Sequence, residues 1–282
     1  MLSIMLIILS LILVSCDKEE EKENIEPTIN TNIIYDYPKK PTNGTTPKDY
    51  SVIENIKIAE GIIVSNPYYK TITSGVAHTK IGMLSNNQSV YSEKVVYDNE
   101  ILYISITDSK YKSEALKIYY QADNVLIQKG KVTSTSTATW DGKITEYSYD
   151  YIKENIGYIH NILTGYIITD ESVIESTVLE ETNHYYSVKI VLNHEIGCAL
   201  TKKEIKFNSG AVNLPEFETS ELTIHMNKDW QVEQIEIHDV YQITVKLGVK
   251  ITAPVDSIIT ETFYYPTKEE LKSIIDEGAI VC

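Results

Sequence analysis

Three thiols and six imidazoles are the residues from which this 282-residue chain could assemble a nucleophile or a metal centre. Their spacing argues against both. No Cys-x-x-Cys occurs among Cys16, Cys198 and Cys282, so no zinc site is suggested. Cys198 and Cys282 can instead pair as a disulfide in an oxidising compartment. His78, His160, His184, His194, His225 and His238 never fall into His-Glu-x-x-His or finger spacing. His194-Glu195, near Cys198 at the end of a predicted strand, is the one place where ligand types cluster. His225 and His238 flank a predicted hairpin whose register sets His225 opposite about Gln231, which keeps the two rings apart. Gly-x-Ser-x-Gly, Walker and Gly-x-Gly-x-x-Gly patterns are all missing. The expectation is a protein without catalytic residues, metal or cofactor, and not an enzyme.

Cys16 has the most specific surroundings. From Leu2 to Val14 the chain is apolar except at Ser3 and Ser10. Such a run fits the core of a signal peptide, about 7–15 residues, and falls short of the roughly 20 that cross a bilayer. It ends in Leu13-Val14-Ser15-Cys16, and Asp17-Lys18-Glu19-Glu20-Glu21-Lys22-Glu23 follows at once. These residues resemble the lipobox of bacterial lipoproteins. The resemblance implies cleavage of a signal peptide, residues 1–15, and lipidation of Cys16. The mature chain would then be anchored in the cell membrane by lipid and face away from the cytoplasm. One departure is that no Lys or Arg precedes Lys18, whereas such signals open with positive charge. An upstream start or an atypical signal would each account for it.

Residues 17–48 combine charge with Pro27, Pro38, Pro41 and Pro47, a composition that cannot offset the entropy of packing. With Cys16 they read as a disordered tether spanning roughly 30 Å, although Ile33-Ile34-Tyr35 could dock on the domain. Residues 49–282 then form a single β-rich domain. The formal net charge is −15 and every basic residue is Lys. Acidity without clustered cations excludes nucleic acid as a partner, and it excludes adhesion to an anionic membrane through a basic patch.

Period-two alternation dominates this domain. Tyr241, Ile243, Val245, Leu247, Val249 and Ile251 alternate with polar or small residues, the pattern of a half-buried strand. Upstream, Leu222, Ile224 and Met226 alternate, Asn227-Lys228-Asp229 turn, and Trp230 and Val232 begin a return strand. A change of parity at Ile235 predicts a bulge there. Hairpins are predicted at 91–106, 116–128 and 173–192. A fourth joins Thr133–Trp140 to Lys143–Tyr149 through Asp141-Gly142, a pair suited to a type I′ turn. Helices are expected at 47–60, at 150–164 from the spacing of Tyr149, Ile152, Ile156, Ile159 and Leu163, and after Thr267, which opens a capping box. Ala199–Phe207 adds one or two helical turns.

The expected fold is therefore mainly β: a curved antiparallel sheet or half-barrel with two or three covering helices. In element order and anchoring it looks like the LolA-like and LppX-like lipid-carrier lipoproteins, over residues 49–265. That resemblance implies a lipid, or another hydrophobic or amphipathic ligand, held between sheet and helices. Trp230, Ile243, Val245 and Leu247 would then face the cavity or the core, with helix 150–164 as cover. A rival reading rests on tyrosine, which supplies 21 of the aromatic residues against three Phe and two Trp. Pairs such as Tyr68-Tyr69, Tyr119-Tyr120 and Tyr185-Tyr186 put one ring on each face of a strand. Outward rings would make a surface lipoprotein that binds wall polymer or a protein partner.

Overall fold

The computed structural model describes residues 37–280 apart from 43, 82–83, 112, 122–123, 157–162, 164, 183 and 248. The signal segment, Cys16, positions 17–36 of the tether, His160 and Cys282 lie outside the described residues. Helix α1 (Val52–Ser65) leads into seven strands: β1 (Tyr68–Ile81), β2 (Leu84–Tyr97), β3 (Glu100–Ser109), β4 (Ser113–Gln121), β5 (Asn124–Ser134), β6 (Thr137–Thr139) and β7 (Ile144–Ser148). After α2 (Tyr149–Ile156) come β8 (Val173–Glu181), β9 (Tyr185–Leu192), α3 (Ala199–Ser209), β10 (Glu216–Asn227), β11 (Val232–Leu247), β12 (Val249–Tyr264) and α4 (Lys268–Gly278). The strands form one open, curved antiparallel sheet in the order β6-β5-β4-β3-β2-β1-β12-β11-β10-β9-β8, with β7 also on β5. Two meanders thus meet in the middle, where β1 and β12 pair from Lys70↔Tyr264 to Thr79↔Val255.

Alternation gives the sheet two faces with different cover. The inner face carries the main core: Val188 and Ile190 of β9, Leu222, Ile224 and Met226 of β10, and Ile235, Tyr241, Ile243 and Val245 of β11. Ile56, Ile58, Ala59 and Ile63 of α1, Ile152 of α2, and Leu200 and Ile205 of α3 pack into it, as do Tyr166, Ile167 and Ile168. Helix α4 lies on the other face, where Leu271 and Ile275 meet Val95, Leu102 and Tyr119. Close approach at its end depends on Gly278, where a Cβ would come within 2.1 Å of Leu102 Cδ2. Thr267 caps α4 by accepting from Glu270 N–H, and Glu270 accepts in return from Thr267 N–H. Thr267→Ala is expected to lower stability by about 1 kcal/mol, read as faster amide exchange along α4.

Four expectations change. The Asp141-Gly142 hairpin does not form: β6 returns onto β5 after Ser134, while β7 pairs with Asn124–Gln128 of β5. Gly142 serves close packing instead, since a Cβ there would sit 2.2 Å from the Lys129 carbonyl oxygen. The alternating run from Tyr241 to Ile251 is two strands, because the chain reverses between Leu247 and Val249. Ile243 pairs with Ala253 and Val245 with Ile251, so odd positions stay on one face and the reversal leaves no mark on the alternation. Helix 150–164 is described only as α2, and Leu163 sits buried in a bend beyond it. The end of the expected tether belongs to the fold. Tyr37 and Pro38 lie against Gly61, Lys40 pairs with Asp229 at 2.9 Å, and Pro47 is buried with its carbonyl accepting from Asn55.

Other expectations stand. The hairpins at Asp98, between β4 and β5 and between β8 and β9 all form. The parity change in β11 is a bulge, while the expected register is off by three: His225 faces Gln234, not about Gln231, and Met226 faces Val232. His225 therefore meets Tyr185, and His238 meets Asp256, on separate strand pairs.

Candidate ligand groove on the outer sheet face

Of the residues expected to face a cavity or the core, Trp230, Ile243 and Val245 are buried in the main core cluster. Trp230 is 1% exposed and donates its indole N–H to Asn55 Oδ1 at 2.6 Å, with Tyr50 edge-on at 5.7 Å. Its φ of +58° places it in the left-handed region, in a turn closed by Trp230 N–H to the Asn227 carbonyl. Ile243 and Val245 are each 1% exposed in the main core cluster. Leu247 ends β11 opposite Val249. Cys198 is a buried free thiol, and burial pushes it up to about 12.

The inner face also holds charge. Lys94 of β2 and Glu261 of β12 are 3.9 Å apart across β1, both buried, with the Lys94 ammonium 5.3 Å from the Tyr69 ring centroid. Burial pulls the Lys94 ammonium down, but Tyr69, Glu261 and Glu204 together outweigh it and hold the group above its ordinary value. The cluster ties β1, β2, β12 and α3 to one another. Asp239 is likewise enclosed and accepts from Tyr166 and from Ser220, and burial pushes it up to about 6.

Open space lies on the opposite face, beside α4. Ile72 of β1, Tyr264 at the end of β12, Pro266 and Ile274 of α4 line a groove of about 550 Å³, with Lys70, Glu270 and Ser273 supplying its polar groups. Beyond Ile274 a smaller cleft of about 210 Å³ runs between α4 and Val95, Leu102 and Ile104. The helix is fixed at this place by Lys268 over the Tyr68 ring at 3.6 Å and by Lys272 against Glu100 at 3.4 Å. Lys70 is held by Glu93 at 2.6 Å. Along the same outward face Val76 and its cross-strand partner Ile258 are 40% and 52% exposed. They lie about 13 Å from Ile72 at about 3.3 Å per residue, beyond the outward pair Ser74 and Thr260.

Sequence reasoning placed α4 but predicted no strand over Tyr68–Ile81 and missed this site. The signal was present: β1 buries Thr71, Thr73 and Thr79 and turns Ile72 and Val76 outward, the reverse of an ordinary half-buried strand. The tyrosine pairs divide between faces as expected. Tyr69 and Tyr120 enter the inner core, and Tyr68 and Tyr119 enter the α4 cluster. The exposed Tyr111, Tyr151 and Tyr264 sit on three separate elements.

No protein-family model matches the chain, and no curated protein matches it. Among solved structures it is similar to a DUF1329 family protein from Desulfovibrio piger, at 9% identity and a TM-score of 0.24 over 74% of this chain and 91% of that one. A Vibrio parahaemolyticus domain described as an outer membrane lipoprotein-sorting protein is 8% identical, with a TM-score of 0.25 over 79% and 97%. A LolA superfamily protein from Nitrosomonas europaea is 8% identical, with a TM-score of 0.23 over 79% and 94%. Likenesses at these TM-scores carry no inference about fold or ligand, and both rest on the geometry above.

Proposed function

We propose that this chain is a lipid-anchored extracytoplasmic protein that binds a hydrophobic or amphipathic ligand in the groove between α4 and the outer sheet face. The anchor reading rests on Leu13-Val14-Ser15-Cys16 and the charged residues that follow. The observation that carries the ligand is the groove itself. Its volume lies within the roughly 300–1,000 Å³ of small-molecule sites, and its lining is apolar with few polar groups. The same face exposes Val76 and Ile258 further along β1 and β12.

Native mass spectrometry of residues 17–282, secreted and purified without detergent, tests the proposal. A co-purifying or added membrane lipid should appear as a mass increment. Ile72→Glu, a change at a half-buried outward position, should remove the increment and leave the fold intact. A mass that stays bare after incubation with membrane lipids would refute ligand binding, and an increment retained by Ile72→Glu would place the ligand elsewhere.

A further inference from the structure

The two edges of the sheet are built differently. On one side β5 is covered along separate stretches by β6 and β7. On the other, β8 ends the sheet with no strand beside it among the described residues, and eight of its nine residues are exposed. Ile174, Val178 and Leu179 of this strand are 66%, 42% and 54% exposed. Unpaired edges of this kind are normally blunted by Lys or Pro, and β8 contains neither. Two bulges, at Ile174 and Leu179, leave a regular stretch of four residues, Glu175 to Val178, opposite Val191 to Val188. That length is too short to template a fibril and long enough to take a short strand.

We propose that β8 binds an extended segment of a partner protein by strand addition, and that this segment alternates apolar with basic residues. The inner face specifies the apolar half. Ile224 pairs with Val188 and Val188 with Val178, so a core row runs to the sheet edge and stops at a half-exposed valine. An apolar side chain from an added strand would continue that row. The outer face specifies the basic half. There Glu175 and Glu180 stand opposite Val191 and Ser187, in a stretch without a single Lys from position 170 to 184. A second copy of β8 would bring the same acids against these, and like charges across a strand pair are unfavourable. Backbone hydrogen bonds would supply affinity and the alternation would supply specificity.

The test uses the chain with a fluorescent octapeptide alternating Lys with Val, and a control in which Glu replaces Lys. The Lys peptide is expected to bind, to weaken as salt is raised, and to slow amide exchange within β8. Val178→Lys, an exposed change, should weaken it by about tenfold through charge repulsion and loss of the apolar contact. Glu175→Lys should do the same while leaving the apolar row intact. Equal binding of the Glu peptide, unchanged binding by both variants, or unaltered exchange in β8 would each overturn the proposal. Sedimentation showing a dimer that Val178→Lys dissolves would overturn it as well, because the occupant would then be a second copy.

Discussion

Val245→Asp is expected to yield no folded protein. The valine is 1% exposed and lies on β11 with Ile243 and Tyr241 in the main core cluster. Lys94, the buried cation of the inner face, already faces Glu261. An aspartate at 245 would bury a charge with no partner, or force protonation at similar cost, and either is large against a total stability of roughly 5–15 kcal/mol. Circular dichroism and size-exclusion of the variant read the result. A folded variant would show that space exists behind β11, so that Val245 faces a cavity. Conversely, Ile72→Glu on the outer face is expected to fold, so the pair distinguishes filled face from open face.

Glu60→Met is expected to abolish most of the fall in stability between about pH 5 and about pH 8. Glu60 sits on the buried side of α1, and burial pushes it up to about 8, with Lys57 opposing only in part. Its carboxyl would titrate near 4.5 in the unfolded chain. Between these values the native state keeps a proton that the unfolded state has released, so stability falls as pH rises through the window. At 1.36 kcal/mol per pH unit the fall is on the order of 5 kcal/mol. Methionine fills similar space without a proton to lose, so the variant should be more stable than the parent at about pH 8 and close to it at about pH 4. Urea denaturation across that range measures the difference. A parent whose midpoint does not drop from about pH 5 to about pH 8 would mean that the Glu60 carboxylate is solvated in the folded state. Asp239 acts in the same direction lower down, between 3.8 and about 6.

What could be read from the sequence was local. Alternation located most strands, Thr267 and Glu270 announced α4, and the parity change at Ile235 announced the bulge. Three kinds of information were absent. Alternation is blind to a reversal that preserves parity, so β11 and β12 merged into one strand. Asp-Gly favours a tight turn only if nothing distant competes, and at Gly142 the backbone of Lys129 does. Finally, period two says that a strand has two faces without saying which is inside. In β11 the apolar face is inside; in β1 threonines are inside and Ile72 and Val76 outside. That one bit decides the site, and it depends on α4, which reaches β1 only after the whole sheet is laid out.

The meeting of β1 and β12 at the centre of the sheet has a consequence for synthesis. Lys70 and Tyr264 are partners although nearly the whole domain separates them in the chain. While the polypeptide is being made, the fourteen-residue β1 can gain β2 almost at once, yet its other flank stays open until the last strand emerges. A chain cut short before Val249 therefore carries an exposed seam in the middle of its future sheet, not merely a frayed end. Such a flank is what strand-capturing chaperones and aggregates recognise. The C-terminal 34 residues thus decide whether the preceding two hundred are closed or left open.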